Sequence, residues 1–400
     1  MKRTKRLIAL ALAGVLMLGG LTACGKVEAN LPEYDPETLD TTTITDLTEF
    51  LLGVPGNTAV ATLNGEDVTA DELVYWLVAN CDSLQQNAYY YTGSTDIPWD
   101  ASMGEGVTVQ DYVRAESLNL ALSQRMVAQK AFDEGVDATA EQMQEVSTLL
   151  ESIKAEGETR LGATLDEYLE LSMALDANLF TFNWRCDYMY EAMRDARFAG
   201  DNVPTDEDVL TWLEEDQGFY KVKHILLSTR DEAQNPLPDE QVAEKRAVAD
   251  DLLAQLLAAE DPIALFDELM TEYGEDPGVA SSPDGYTAQP GQMVAEFEQA
   301  SLGLEEGSFS DVVTSEFGYH IILRLPLDMD PAEYRDAYIN SAMGQLVGGW
   351  LEQSEVKTEA LCDEVDVKDL FERMTAFRNR FGQPPVEQAD PAEGDSSTAE

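Results

Sequence analysis

Few side chains in this chain of 400 residues are suited to chemistry. It holds two histidines, His224 and His320, and four cysteines, Cys24, Cys81, Cys186 and Cys362. Two histidines exclude a multi-histidine metal centre, and four cysteines make neither a disulfide scaffold nor a convincing zinc-ligand set. The expectation is therefore no metal and no other cofactor. Each histidine stands in an apolar stretch, one within Tyr220-Lys221-Val222-Lys223-His224-Ile225-Leu226-Leu227 and the other within Tyr319-His320-Ile321-Ile322-Leu323-Arg324-Leu325. Imidazole changes charge or tautomer near neutral pH, so this pair is where a directed hydrogen-bond network would reside. Taken singly, a histidine among aliphatics is a satisfied core residue. Met293 with Phe297, four positions apart, is taken singly ordinary helix packing. The chemistry depends on whether the elements bring these residues together.

Both histidine stretches read as strands by β-branched content and alternation. Between them lie a proline-containing loop at 231–240, helical patterns at 241–259, 262–273 and 294–302, and turn signals at Asp276-Pro277-Gly278 and Pro283-Asp284-Gly285. Strand, helices and strand make an α/β unit over 218–327. Before it, helical patterns run over 69–91, 108–134, 139–157, 164–198 and 205–216. Thr69 with Glu72, Thr139 with Gln142 and Thr164 with Glu167 fit the capping box; Thr108 with Asp111 and Thr205 with Asp208 are looser versions. Leu118, Ala121, Leu122 and Met126, and Leu165, Leu169, Leu171 and Leu175, mark stripes expected to pack as mutual core. Ala59 to Leu63 is a short strand candidate followed by the tight-turn signal Asn64-Gly65. Helical pattern returns at 331–352 and 366–378, and residues 383–400, rich in proline and small acidic residues, read as a disordered tail.

The chain begins as an address. Lys2, Arg3, Lys5 and Arg6 precede an apolar run from Leu7 to Leu18 that is short for a membrane span. Residues 1–23 read as an export signal ending at Leu21-Thr22-Ala23-Cys24-Gly25. Residues 24–57, with Pro32, Pro36 and Pro55 and many threonines, look like a tether. Of the other three cysteines, either one pair forms a disulfide and leaves an odd thiol or, the reading preferred with no histidine nearby, all three are core residues. Charge is lopsided: 25 Lys and Arg against 77 Asp and Glu give −52, and removal of the four basic signal residues leaves 21 against 77, or −56. Phosphates are repelled by such a surface, so nucleic acid is not an expected partner.

Three motifs in order carry a family resemblance. Val222-Lys223-His224-Ile225-Leu226-Leu227, Gly291-Gln292-Met293-Val294-Ala295-Glu296-Phe297-Glu298 and Phe317-Gly318-Tyr319-His320-Ile321-Ile322 resemble the opening histidine strand, the Gly-Gln-Met…Phe helix and the closing histidine strand of the parvulin family of peptidyl-prolyl cis/trans isomerases. Leu21 to Gly25 resembles the lipobox of bacterial lipoproteins, which implies lipid attachment at Cys24. With the flanking helices, the whole resembles extracytoplasmic foldases of the PrsA and SurA kind. The implied fold is multidomain, α plus α/β: a helical SurA-like chaperone domain formed by 58–217 and 328–382, with a parvulin domain of a small sheet and about four helices inserted at 218–327.

The resemblance also assigns roles. His224 and His320 are the paired histidines at the floor of the site, Met293 and Phe297 line a proline-ring pocket, Asp276 lies beside the twisting amide, and Ser315 is a hydroxyl near the second histidine. Physical chemistry suits these types. Twisting an X–Pro bond breaks amide resonance and needs no nucleophile. A dry pocket for the ring and a rigid polar network that fits the twisted amide suffice. The implied activity is peptidyl-prolyl cis/trans isomerase and chaperone, acting on unfolded or newly exported polypeptides with X-Pro bonds, held on the outer face of the membrane by its lipid. The sequence leaves monomer or homodimer open. Two departures bear on this. Residues 281–286, Ser-Ser-Pro-Asp-Gly-Tyr, lack the leucine that the family commonly supplies, which motivates a binding-only holdase as the alternative. Ser228-Thr229-Arg230-Asp231-Glu232 holds one cation among acids, which speaks against selection of phosphorylated substrates. A solute-binding lipoprotein would need two similar α/β lobes, and the pattern supplies one.

Overall fold

The computed structural model describes residues 27–104 and 106–383. The export signal at 1–23, Cys24 and residues 384–400 lie outside the described residues. The chain divides into two compact units: Asn202–Ile339 is one, and the segments up to Asp201 and from Asn340 together make the other. A mainly helical unit split in sequence, with a mixed unit inserted between its halves, is the architecture implied above.

The split unit begins earlier than composition suggests. Residues 24–57 were expected to be a tether, yet α1 (Leu47–Leu52) is a helix whose Leu47, Phe50, Leu51 and Leu52 are buried in the unit's core. The apolar run Phe50-Leu51-Leu52 drives this burial. Asp46 caps the helix by accepting from Glu49 N–H, and Gly53, at φ +80°, ends it. Arg373 holds the segment down, donating to Pro32 O at 2.8 Å with its guanidinium 4.6 Å from the Tyr34 ring centre. Next, β1 (Ala59–Leu63) and β2 (Glu66–Thr69) form a hairpin through Asn64 and Gly65, both at positive φ as a two-residue turn requires. Then come α2 (Ala70–Thr92), a minor hairpin of β3 (Ser102–Gly104) and β4 (Val107–Thr108), α3 (Val109–Glu134) and α4 (Ala140–Leu161).

The pattern at 164–198, read as one helix, is two: α5 (Leu165–Met173) and α6 (Ala177–Arg197). Ala174 adopts φ +55° and Asp176 accepts from Leu179 N–H, so a stop and a new N-cap interrupt an otherwise continuous apolar periodicity. All five threonine boxes occur at helix starts. Each threonine accepts from the third residue on, except Thr69, whose N–H and hydroxyl both donate to Glu72.

In the inserted unit, α7 (Asp206–Glu215) leads to β5 (Tyr220–Ser228), α8 (Asp239–Ala258), α9 (Pro262–Tyr273), β6 (Tyr286–Ala288), α10 (Ala295–Leu302), β7 (Val313–Ser315) and β8 (Gly318–Leu325). The sheet is antiparallel in the order β6-β5-β8-β7. Strands β6 and β7, three residues each, escape a sequence reading because such runs show no alternation. Alternation in β5 and β8 sends Ile225, Leu227, Ile321 and Leu323 to one face, where Leu252, Leu256, Phe266 and Leu269 of α8 and α9 bury them. Tyr220, Val222 and Ile322 occupy the other face with Phe297 of α10.

Helix α11 (Pro331–Glu352) carries the chain back, followed by β9 (Val356–Thr358), α12 (Leu361–Glu364) and α13 (Val367–Arg380). Strand β9 pairs with β1, Ala61 opposite Thr358, so the sheet β2-β1-β9 joins the two sequence halves of the split unit. Cys81, Cys186 and Cys362 are free and buried in its core, and burial pushes the Cys362 thiol up to about 12.

Candidate active site

Strand register decides that the histidines meet. His224 lies opposite Ile322, and His320 lies opposite Leu226. His320 and Ile322 are two apart on β8, so both imidazoles project from one face as diagonal neighbours. Their rings stack at 5.2 Å between centres with 15° between planes, and the two Nδ1 atoms are 3.1 Å apart. Both side chains are buried, at 8% and 3% exposure. Phe297 stands edge-on to both, 5.1 Å from His224 and 5.3 Å from His320.

Asp276 arrives by a different route. After α9, Glu275 N–H donates to Leu226 O at 2.8 Å while the Glu275 carboxylate accepts from Ser228 N–H, which fixes the loop against β5. Asp276 then caps the short turn Pro277–Ala280, taking Gly278 N–H on Oδ1 at 3.0 Å, and offers Oδ2 to His224 Nε2 at 2.8 Å. Ser315, on β7, lies 2.6 Å from His320 Nε2 through Oγ. The sequence-derived set of His224, His320, Asp276 and Ser315 is therefore one hydrogen-bonded chain. Met293 and Phe297 line the adjoining groove of about 1310 Å³ together with His224, His320 and Asp276. Met293 is not in the helix that carries Phe297: α10 starts at Ala295, and Gly291, at φ +85°, turns the chain ahead of it. The four-residue spacing thus spans a turn and a helix start, so single-turn helix packing does not explain it.

Tyr286 was missed. It lies opposite Val222 at the head of β6, on the histidine face of the sheet. Its hydroxyl donates to Asp276 Oδ2 at 2.5 Å, and its ring is edge-on to His224 at 5.7 Å. The available signal was Gly285-Tyr286 directly after a turn, a position too short for alternation to assign a face. Lys245 and Glu275, joined as an ion pair, also line the groove. Arg230 is committed to backbone carbonyls, donating to Glu316 O between β7 and β8 at 2.8 Å and to Gln234 O in its own loop at 3.0 Å.

Electrostatics follow from these contacts. The hydrogen bond from His224, with help from Tyr286 and Gly278 N–H, holds the Asp276 carboxyl well below the usual carboxylate range, against the opposing effect of burial. Burial, reinforced by the nearby His224, lowers His320 to about 4, with Asp276 acting in opposition. Burial and the carboxylate push the Tyr286 hydroxyl up. At neutral pH, with Asp276 ionised, His224 Nε2–H donates to it. For neutral imidazoles His224 Nδ1 then accepts, so His320 Nδ1–H donates and His320 Nε2 accepts from the Ser315 hydroxyl. This is a fixed dipolar chain beside an apolar notch, in a unit whose sequence contains no cysteine.

Residues 211–324 match the family model of the PPIC-type PPIase domain. Among curated proteins the chain is similar to the foldase protein PrsA of Oceanobacillus iheyensis, with 30% identity over half of this chain and 57% of the relative. It is also similar to the PrsA foldase of Halalkalibacterium halodurans, with 24% identity over 70% of this chain and 78% of the relative. The chaperone SurA of Chromohalobacter salexigens is 39% identical over 26% of this chain and 21% of that protein. The chain thus spans little more than half of the first of these relatives and about a fifth of the last. No helix among the described residues is long and apolar enough to cross a membrane.

Proposed function

We propose that this protein is a peptidyl-prolyl cis/trans isomerase and chaperone that assists the folding of exported polypeptides, held by a lipid on Cys24 at the outer face of the membrane. In this reading 58–217 and 328–382 form the chaperone frame around an isomerase domain at 218–327. The stacked, hydrogen-bonded pair His224–His320 beneath Phe297 and Met293 carries it.

Mechanism follows from what the twisting amide needs. The proline ring enters the notch between Met293 and Phe297, which holds one side of the C–N bond while the preceding residue turns. As the amide leaves planarity, its nitrogen gains lone-pair character and its oxygen sheds negative charge, against a barrier of about 18–20 kcal/mol in water. An ionised Asp276 beside the carbonyl disfavours the planar, charge-separated form more than the twisted one, which is differential binding of the transition state. The imidazoles keep that carboxylate ionised and oriented; no proton is transferred to the substrate. A protease-coupled proline-peptide assay on the full chain tests this, with acceleration expected for the wild type and lost in His224→Ala. Suppressed client aggregation with no acceleration at enzyme-level concentrations would leave the binding-only holdase.

A further inference from the structure

We infer that Tyr286 is a positioning residue of this site, its ring closing one wall of the groove and its hydroxyl clamping Asp276 so that the two imidazoles keep a single proton order. The inference rests on the isomerase reading for its kinetic arm but not for its spectroscopic one.

Three independent features of the fold converge on this residue. The Val222–Tyr286 register puts the phenol on the histidine face, diagonal to His224. The phenol hydroxyl and His224 Nε2 meet the same oxygen, Asp276 Oδ2, at 2.5 and 2.8 Å, while Gly278 N–H holds Oδ1 at 3.0 Å. Both oxygens are thereby engaged, and the carboxylate has no second orientation of equal quality. The backbone is also cleared for this side chain. A Cβ at Gly278 would lie 2.3 Å from the Tyr286 hydroxyl. Gly285, at φ +101°, lets the strand approach β5 so closely that a Cβ there would sit 2.7 Å from Val222 O. Packing alone needs none of the hydroxyl geometry.

A clamped carboxylate fixes His224 as the Nε2–H tautomer, which fixes His320 as the Nδ1–H tautomer, and Ser315 then donates to His320 Nε2. Removing the phenol hydroxyl frees Oδ2 to rotate and takes a donor from the anion, so the Asp276 carboxyl rises. The ionisable groups facing Asp276 are His224 and Tyr286, with His320 one step further and the Glu275–Lys245 pair along the groove.

The experiment is Tyr286→Phe in the full chain, assayed with a chromogenic proline peptide across pH and by nitrogen-15 imidazole spectra. Two histidines give two interpretable spin systems. The expected result is kcat lower by about tenfold, the lower end of the range for a lost hydrogen bond to a charged group, with KM little changed because the ring remains. The acid limb of the pH profile should move upward. The wild type should show one tautomer at each histidine and the variant a mixture. Gly278→Ala, which displaces the hydroxyl without removing a polar group, should reproduce these shifts, and Tyr286→Ala should raise KM as well. Unchanged kcat, acid limb and tautomers in Tyr286→Phe would overturn the inference. An inactive wild type would overturn the isomerase reading and leave the tautomers to decide the clamp. If Tyr286→Phe does not fold, mixed or opposite tautomers in the wild type overturn it.

Discussion

Two sets of half-buried carboxylates in this molecule face opposite fates. In the inserted unit, Asp276 receives three donors and is held well below the usual range. In the split unit, burial and neighbouring acids push Asp187 and Glu170 up to about 7. Burial opposes ionisation at all three, most strongly at Asp187, and at Asp276 the donors outweigh it. The lesson is that a strongly acidic chain keeps a carboxylate of the candidate site ionised by surrounding it with N–H and O–H groups, while at Asp187 and Glu170 burial favours the neutral form.

The largest break in this contrast is His224→Ala, which removes the first donor and one of the two stacked rings. Isomerase activity should fall about hundredfold or more, the scale of losing a preorganised polar group, as read in the peptide assay. Asp276→Asn keeps the side-chain shape but removes the charge, and a fall of about tenfold is expected in the same assay. An unchanged rate would show that the charge on this group is irrelevant.

Acid titration sharpens the comparison further. With His320 lowered to about 4 from an unfolded value near 6.5, the unfolded chain binds the extra proton between those values. This contribution to stability is full above about 6.5 and is lost as pH falls toward 4. Titration of His320 should therefore contribute no inflection near 6.5 to a rate profile.

The acids of the split unit carry the reverse sign. Their raised values mean that the folded state binds more protons between about 4 and 7, so stability there declines as pH rises. Thermal melts of Asp187→Asn against the wild type should coincide at about pH 4 and separate by pH 8, the variant melting higher. A smaller and purely structural effect is expected at Gly318→Ala. The added Cβ would lie 2.2 Å from Leu227 O at φ +146°, costing about 1–3 kcal/mol of stability in denaturant unfolding.

Much of the site was legible because its parts are written as local signals. The histidine strands have the alternation and aliphatic content that define β5 and β8, and five threonines mark helix starts through a four-residue grammar. What escaped depends on pairing between distant segments or on very short ones. Tyr286 belongs to a three-residue strand whose face is set by Val222, 64 positions earlier. The packing of Leu47–Leu52 depends on a core completed by α13. The break at Ala174 is hidden because Leu171 and Leu175 keep the helical spacing across it. Met293 matched its motif while standing outside the helix the motif suggested, because sequence spacing does not distinguish a turn leading into a helix from the helix itself.

Strand β9 sets a timetable. A ribosome makes the N-terminal hairpin first, yet the third strand of that sheet comes at Val356–Thr358, after the whole inserted unit. During synthesis or threading from the N-terminus, Asn202–Ile339 has all of its own sequence available while the edge of β1 still waits for its partner. The insert is thus free to mature before its frame closes, and truncation anywhere ahead of residue 356 leaves an open strand edge exposed to foreign chains.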